Sequence, residues 1–368
     1  MSTAASLFTV VGLIATAPPT IASAAEPSRI TVGGTWSPTT SMSVRRWYHT
    51  ATLLQDGRVL VAGGHGRERV RRSAEIYDPA TAQWTTAGSM HNRRWQQTAT
   101  LLPNGEVLVA GGDNGRVPIK SAEIYDPVSN SWRMVAPMPT TRGGHTATLL
   151  PNGTVLVTGG TPTGYDATAE ADIYDPATDQ WRRVEDMHVS RFYHTATLLP
   201  DGTVLVTGGA SPYPVATARA EVFSPATGHW TNVPSMSEAR FSHTATLLDT
   251  GDVLVAAGGD CCGGDATAEL YNVASRTWSP AASLQQARTE HTATLLDDGT
   301  VLMVGGAYPW LTSVERYDSA SDAWSHVDPT GRFRGYHTAT LLPDGRVLVA
   351  GGGSGEGRLV KSAEIYTP

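Results

Sequence analysis

One phrase recurs along the chain at a nearly constant distance. Residues 336–352 read YHTATLLPDGRVLVAGG, and close copies begin at Tyr48 and Tyr193. The Thr-Ala-Thr core of the phrase starts at residues 50, 98, 146, 195, 244, 292 and 338, so the spacing is 46 to 49 residues. A period of this length is typical of architectures that stack copies of one supersecondary unit.

Each repeat unit predicts four short strands. In the first unit an apolar segment begins at His49, turns at Asp56-Gly57, and is followed by a second apolar segment that ends at Gly63-Gly64. A variable loop then leads to AEIYDPATAQW, which ends on Trp84. Four strands with Gly-rich turns in each unit, without helical periodicity, predict one blade of a β-propeller.

The turn between the first two strands predicts a two-residue type I′ hairpin. Asp-Gly and Asn-Gly are favoured there because both central residues need a positive φ. The six matching dipeptides are Asp56-Gly57, Asn104-Gly105, Asn152-Gly153, Asp201-Gly202, Asp298-Gly299 and Asp344-Gly345. Thr250-Gly251 departs from the pattern.

The fourth strands predict how the ring closes. Six of them are marked by Trp84, Trp132, Trp181, Trp230, Trp278 and Trp324. The seventh unit stops at AEIYTP, yet Trp36 lies 48 residues before Trp84. The N-terminal segment is therefore predicted to supply the outer strand of the last blade, which leaves no open edge in the ring. The predicted fold is all-β: a seven-bladed propeller over residues 35–368 with four antiparallel strands per blade.

The repeat also resembles a known family. The double glycine, the Tyr of EIYDP and the Trp that follows resemble kelch repeats, in register across residues 35–368. Similar blades occur in bacterial exported kelch proteins and in the propeller domains of galactose oxidase-like and glyoxal oxidase-like copper enzymes. The resemblance implies a kelch β-propeller.

Charge and the N-terminal segment limit the partners and the location. The net charge is −7 and there is no basic block, which argues against nucleic acid and against an anionic membrane surface. Residues 1–25 contain no charged side chain and hold an apolar run from Leu7 to Ala17. This pattern predicts a secretory signal over 1–25, although the usual basic start is missing, followed by a linker over 26–34. We expect a secreted monomer.

The two cysteines carry little information about the fold. Cys261 and Cys262 are adjacent, so they cannot join distant parts of the chain. Whether they form a disulfide with each other stays open.

The variable loops after the second strands predict the binding face. Loops that differ on a repeated scaffold are where binding residues concentrate. The candidate ligand-binding residues are Arg67, Arg69, Tyr165, Tyr213, Tyr308 and Trp310. These residue types favour recognition of a protein or a carbohydrate. The alternative for the four aromatic residues is that their rings only cover the top of the core.

An arginine and an acid recur in every unit. The arginines are Arg46, Arg94, Arg142, Arg191, Arg240, Arg288 and Arg334. The acids are Glu75, Glu123, Asp172, Glu221, Glu269, Glu315 and Glu364. Seven copies of each indicate one internal ion pair per blade, since a residue that serves all blades alike is seldom a unique catalyst. Trp36 and Trp84 belong to the same structural repeat.

A histidine follows three residues after the arginine in six units. The unit at Arg94 has Gln97 instead, which fits a hydrogen-bonding role better than an obligate metal ring. The alternative is a transition-metal site, because imidazole is the commonest ligand of these metals.

Resemblance to the copper radical oxidases implies specific ligands. Their Tyr-His pair matches Tyr336 and His337, with Tyr48 and His49, and Tyr193 and His194, as further candidates. Those enzymes also crosslink a second tyrosine to a cysteine, and this chain has no cysteine on an inner strand.

Two function classes follow from these patterns. The first is an exported, non-enzymatic binding module for a protein or carbohydrate, with no cofactor. The second is an enzyme on the same face: a copper oxidase of the galactose or glyoxal oxidase type, or a sugar isomerase like the kelch-type sialic acid mutarotases, which the chain resembles in fold. Propellers host both classes, so the fold alone does not decide.

Overall fold

The computed structural model describes residues 33–260, 263–355 and 358–368. The predicted signal segment 1–25 and all but the last two residues of the linker 26–34 lie outside the described residues. Cys261 and Cys262 also lie outside them. Among the described residues there is no helix that is long and apolar enough to cross a membrane.

Seven four-stranded antiparallel sheets form the blades, as the repeat predicted. The inner strands are β2 (Thr50–Leu53), β6 (Thr98–Leu101), β10 (Thr146–Leu149), β14 (Thr195–Leu198), β18 (Thr244–Leu247), β24 (Thr292–Leu295) and β28 (Thr338–Leu341). The second strands are β3 (Val59–Ala62), β7 (Val107–Ala110), β11 (Val155–Thr158), β15 (Val204–Thr207), β19 (Val253–Ala256), β25 (Val301–Val304) and β29 (Val347–Ala350).

The outer halves of the blades follow the same order. The third strands are β4 (Ala74–Asp78), β8 (Ala122–Asp126), β12 (Ala171–Asp175), β16 (Ala220–Ser224), β22 (Ala268–Asn272), β26 (Val314–Asp318) and β30 (Ala363–Thr367). The outer strands are β1 (Thr35–Thr39), β5 (Gln83–Ala87), β9 (Ser131–Val135), β13 (Gln180–Arg183), β17 (His229–Val233), β23 (Thr277–Ala281) and β27 (Ala323–Val327). A small hairpin, β20 (Gly259–Asp260) and β21 (Gly263–Gly264), lies in the loop of the fifth blade.

The ring closes where the sequence predicted. Strand β1 pairs antiparallel with β30, with Trp36 opposite Tyr366, and their ring centroids are 5.2 Å apart. Each inner strand lies beside the inner strands of both neighbouring blades, and β28 lies beside β2. The last blade therefore contains both ends of the described chain, and the prediction of seven blades closed by the N-terminal strand is confirmed.

Apolar packing lies between blades. The second strands are buried at every position because each is covered by a blade on both faces. One core cluster joins Ile76 of the first blade to Val107 and Val109 of the second. Trp84 packs on Tyr77 with ring centroids 5.0 Å apart and donates its Nε1 hydrogen to the Thr40 carbonyl at 2.8 Å. The repeated tryptophan thus ties each outer strand to the preceding linker.

The prediction of type I′ turns is wrong. Gly57 has a positive φ of 85°, but Asp56 is not among the residues with positive φ. The Gly57 amide donates to the Leu54 carbonyl at 3.0 Å, and the Leu54 amide donates to the Arg58 carbonyl at 2.8 Å. This geometry is a three-residue loop in which a type I turn is followed by a left-handed glycine. Asp56 accepts the Arg58 amide with its side chain at 3.0 Å, which suits its position in the turn.

The glycine pair after six of the seven second strands permits close approach of two chain segments. Gly63 and Gly64 have φ of 68° and 89°, where other residues are strained. A Cβ at Gly63 would lie 2.6 Å from the Arg94 carbonyl oxygen, on the linker to the next blade. The close approach of the linker therefore favours glycine at this position, although the fifth blade has Ala257 there with a φ of 57°.

The seven arginines lie inside the blades and contact the seven acids. Arg94 has no exposed surface; its Nη1 donates to the carbonyls of Gly111 and Ser121 at 2.9 and 2.8 Å, and its Nη2 to Glu123 at 2.6 Å. Glu123 also accepts the backbone amide of His91 at 2.6 Å. Each arginine thus joins a linker, the end of a second strand and a third strand. Each blade therefore has a buried ion pair, and its burial favours the structural role that the repetition predicts.

Replacing the buried arginine of one pair tests this role. We expect Arg94→Gln to lower the free energy of unfolding by about 3–5 kcal/mol, because Glu123 keeps a buried charge without its cation. Arg133→Gln is the control, since it removes an exposed pair with Glu106 and is expected to cost about 0–1 kcal/mol. Urea unfolding measures both, and equal losses would contradict a structural role for the buried pair.

Candidate functional site

The repeated histidines connect neighbouring blades. His194 Nε2 lies 3.0 Å from Thr146 Oγ1 on the inner strand of the preceding blade, and His337 Nε2 lies 3.0 Å from Thr292 Oγ1. His49 Nε2 lies 3.1 Å from Thr338 Oγ1, which crosses the closure of the ring. In the exceptional unit, Gln97 donates instead to the Ala62 carbonyl of the preceding blade at 2.9 Å. The residue at this position therefore makes a hydrogen bond between blades, whether it is histidine or glutamine.

Burial keeps these imidazoles neutral. Burial, together with the charge of the neighbouring arginine, lowers the pKa of His145, His243 and His337 to about 3. The pKa values of His49 and His194 also lie well below the ordinary value, with burial as the main cause. Neutral rings can each donate one hydrogen bond and accept one, which suits pairing with threonine hydroxyls.

The residue before each histidine or glutamine forms a second, more informative circle. These seven residues, which we call the axial ring, are Tyr48, Gln96, Gly144, Tyr193, Ser242, Glu290 and Tyr336. All have a positive φ, between 50° and 62°. Backbone amides donate to the carbonyl of the preceding member at 3.0–3.3 Å in six of the seven steps, for example from Tyr48 to Tyr336. The axial ring thus has a uniform backbone with a different side chain in most blades.

A pocket of about 630 Å³ opens above the axial ring. Its floor contains five members of the ring: Tyr48, Tyr193, Ser242, Glu290 and Tyr336. Its walls come from the blade entrances and the variable loops: Gly164, Tyr165, Phe192, Tyr213, Phe241, Asp260, Gly263, Thr289 and Tyr308. A concave site with aromatic walls and a few convergent polar groups is the usual form of a small-molecule site.

Glu290 is the polar centre of the floor. Its Oε1 accepts hydrogen bonds from Ser242 Oγ at 2.7 Å and from Tyr48 Oη at 3.2 Å. Burial raises the pKa of Glu290 to about 7, and the bonds from Ser242 and Tyr48 oppose that rise. The side chain lies deep among protein atoms yet reaches the pocket surface. A carboxyl of this kind changes charge near neutral pH, which marks it as a functional candidate.

The tyrosines of the floor form one aromatic and hydroxyl cluster. The rings of Tyr48 and Tyr336 are 4.4 Å apart between centroids, and those of Tyr48 and Tyr193 are 6.5 Å apart and nearly parallel. Gln96 Nε2 donates to the Tyr193 hydroxyl. Burial, followed by the charge of Glu290, raises the pKa values of Tyr48, Tyr193 and Tyr336. Their phenols stay protonated and remain hydrogen-bond donors.

The predicted loop residues divide between two places. Tyr165, Tyr213 and Tyr308 line the pocket and are 75%, 51% and 64% exposed. Trp310 is only partly exposed; it packs against Gly353 and lies 6.0 Å from the Tyr336 ring between centroids, so it supports the floor from the side.

The two predicted arginines lie away from this pocket. Arg67 lines a separate groove of about 650 Å³ on the first and last blades, together with Arg45, Arg332, Arg358 and Lys361. Arg69 lies on the same loop, where its carbonyl accepts the Gly66 amide at 2.9 Å. The structure therefore does not bring the loop arginines and loop tyrosines into one site.

Comparison with protein families agrees with the repeat. The family model described as the kelch motif matches residues 46–91, 96–139 and 191–237. The chain is a seven-bladed propeller with kelch motifs. No curated protein sequence matches this propeller.

Solved structures share the fold at low sequence identity. One is a fungal alcohol oxidase of the AA5 family in complex with copper, 18% identical, with a TM-score of 0.75; the match covers 91% of this chain and 76% of that one. Another is YjhT, 15% identical, with a TM-score of 0.62; the match covers 78% of this chain and 99% of that one. At these identities the likeness shows the fold alone.

The residues of the propeller do not fit the copper site that the oxidases imply. Tyr48 and Tyr336 share the pocket floor, but His49, His194 and His337 are not among its lining residues. Each of these histidines uses Nε2 on a threonine of the preceding blade. Within the described ranges, no three His, Cys, Asp or Glu side chains are placed to hold a metal ion. We therefore derive no copper chemistry for this site.

Sequence reasoning missed Glu290, Ser242 and Gln96. The histidine recurs in six of the seven repeats and was therefore selected as a candidate, whereas the residue before it varies between repeats. The signal was present as a column of the repeat that reads Tyr, Gln, Gly, Tyr, Ser, Glu and Tyr from first to last blade.

The raised pKa of Glu290 predicts a specific pH dependence of stability. The pKa is 4.5 ordinarily and about 7 in the fold, so between these values the folded chain holds a proton that the unfolded chain has released. Stability contributed by this group is therefore lost as the pH rises from 4.5 to 7. Glu290→Gln stays neutral, so its free energy of unfolding relative to the wild type should increase over that range, by at most about 3 kcal/mol.

Urea unfolding of both proteins at several pH values measures this difference. Other titrating groups cancel because both chains contain them. A difference that stays flat from pH 4.5 to pH 7 would show that Glu290 titrates normally.

Proposed function

We propose that the chain is an exported carbohydrate-binding propeller that holds a saccharide in the pocket above the axial ring. Export is part of this proposal and is based on the signal-like residues 1–25. The observation that supports saccharide binding most directly is the meeting of a hydroxyl and carboxyl floor with exposed tyrosine rings. Sugars need both, because they have an apolar face and a rim of hydroxyl groups.

The shape of the site favours a small ligand over a protein partner. Its volume of about 630 Å³ lies within the range of roughly 300–1,000 Å³ that is usual for small-molecule pockets. The polar groups of Glu290 and Ser242 lie at its bottom, where a folded protein surface does not reach. A monosaccharide, or the end of a longer glycan, fits this depth.

The chemistry of the walls and floor fits a saccharide. Tyr165 and Tyr213 expose half or more of their surface and offer large, rigid contact area at low entropic cost. Glu290 accepts hydrogen bonds, and the hydroxyls of Ser242, Tyr48 and Tyr336 donate and accept them. A polyhydroxylated ligand can satisfy this mixed set.

Removing the wall tyrosines tests the proposal. We expect Tyr165→Ala and Tyr213→Ala each to weaken saccharide binding at least about tenfold, since aromatic anchors dominate such contacts. The free energy of unfolding should change by less than about 0.5 kcal/mol, because both side chains are exposed. Calorimetric titration with a panel of neutral, acidic and amino monosaccharides measures the first, and urea unfolding the second.

Phe333→Ala is the matched control for these variants. Phe333 is 49% exposed and is not among the residues that line the pocket. Its loss should leave binding unchanged. Wild-type affinity in both tyrosine variants would place the ligand elsewhere, and a large loss of stability would make the rings part of the core.

An enzymatic use of the same pocket is the second candidate, and Glu290 favours it. A carboxyl with a pKa near 7 can both take and give a proton at neutral pH, which a sugar isomerase requires. If so, the exchange rate between the anomers of a bound sugar, followed by NMR, should rise with added protein and fall to the uncatalysed rate in Glu290→Gln. If the wild-type protein does not change the rate of exchange between the anomers, the enzymatic function is excluded and the binding function is retained.

A further inference from the structure

The charged side chains among the described residues that line the pocket are all acidic. Glu290 lies on the floor and Asp260 lies at the wall, and no Arg, Lys or His is among the described residues that line the pocket. The arginine nearest in sequence, Arg288, is turned into the blade, where it donates to the carbonyls of Gly305 and Ser313 at 2.7 and 3.2 Å and contacts Glu315. The described residues that line this pocket therefore provide no cation for Glu290.

The hydrogen bonds of Glu290 leave one oxygen available. Both observed donors, Ser242 and Tyr48, are neutral hydroxyls and both reach Oε1. In the described part of the chain no hydrogen bond to Oε2 is observed, and the side chain lines the pocket. A ligand group that enters the pocket can thus reach a partly buried carboxyl with an oxygen that accepts no hydrogen bond from the described residues.

Aromatic rings line the same pocket as this carboxyl. Tyr48, Tyr193 and Tyr336 lie on the floor beside it, and Phe192 and Phe241 lie in the walls. Aromatic faces attract cations, and the attraction grows when the cation is removed from water. An ammonium group that pairs with a carboxylate also makes a hydrogen bond stronger than one between neutral groups.

We infer that the pocket selects saccharides with a free, protonated amino group, which pairs with Glu290. This inference rests on the proposed function and names the ligand class of that site. The ammonium supplies the cation that the lining residues lack, and the sugar ring uses the tyrosine walls. An N-acetylated sugar cannot make this pair because its amide nitrogen is uncharged.

The pairing predicts tighter binding as Glu290 ionises. The other titratable groups among the described residues that line the pocket are Tyr48, Tyr193 and Tyr336 on the floor and Asp260, Tyr165, Tyr213 and Tyr308 in the walls. The floor tyrosines stay neutral because their pKa values are raised, and burial keeps the adjacent His291 neutral. Glu290, with a pKa of about 7 in the free protein, gains charge between pH 5 and pH 7. An amino sugar stays protonated over most of this range, so its affinity should increase with pH more steeply than that of a neutral sugar, which gains only a stronger hydrogen bond to the ionised carboxylate.

Matched sugar pairs test the inference. The probes are glucosamine, galactosamine and mannosamine against glucose, galactose, mannose and N-acetylglucosamine, titrated calorimetrically at pH 5 and pH 7. We expect the wild type at pH 7 to bind at least one amino sugar about tenfold or more tighter than its neutral partner, with a smaller ratio at pH 5. Glu290→Gln should bind the two members of the pair equally.

Glu238→Gln is the control, since it makes the same change at an exposed linker position outside the pocket. It should keep the wild-type preference. Thermal melting shows that each variant is folded. Equal binding of amino and neutral sugars by the wild type, or a preference that survives in Glu290→Gln, would overturn the amine inference and leave saccharide binding intact. Binding of none of the seven probes would overturn the amine inference and count against the proposed function itself.

Discussion

The pairing of β1 with β30 is the constraint on which the rest of the structure depends. It places the first described strand and the last one in the same sheet, so the seven repeats form a ring rather than an open row. Every second strand then has a blade on both sides, which explains why these strands are buried throughout. The axial ring can form only on this closed geometry, since its backbone hydrogen bonds pass from the last blade to the first between Tyr48 and Tyr336.

The repeated residues and the variable residues lie in different parts of each unit. The arginine, the acid, the glycine pair and the tryptophan make the same contacts in blade after blade, and they set the positions of the linkers. The one residue before the histidine keeps the same backbone conformation while its side chain differs. An asymmetric set of side chains can therefore form at the axial ring while the blades keep the same backbone structure. Glu290 is the clearest case, because the six other blades carry no acid at that position.

The sequence was sufficient for the architecture because the architecture depends on repeated, local signals. The period, the tryptophan that precedes the first full unit, and the recurring arginine and acid each predicted a feature that the structure contains. The turn type was wrong because Asp-Gly suits both a type I′ turn and a type I turn followed by a left-handed glycine, and only the loop length distinguishes them. Three tyrosines, Tyr165, Tyr213 and Tyr308, were selected from their loops alone, and in the structure they line the pocket.

The pocket floor could not be predicted in the same way. Glu290, Ser242 and Tyr48 come from three different blades and meet only through the curvature of the ring, over sequence separations of 48 and 242 residues. The loop arginines show the opposite case: Arg67 and Tyr165 belong to equivalent loops of different blades but line separate depressions. The sequence patterns predict which end of the propeller has the variable loops. Which side chains from distant repeats meet there is seen only in the structure.

The left-handed backbone of the axial ring has a consequence for how such a protein can change. A position whose conformation is fixed by hydrogen bonds between main chains accepts tyrosine, glutamine, glycine, serine and glutamate with nearly the same φ, as the seven blades already demonstrate. Five of these seven positions line the pocket, so the chemical lining of the cavity can differ from one such propeller to another by single substitutions that leave the main-chain hydrogen bonds of the ring in place.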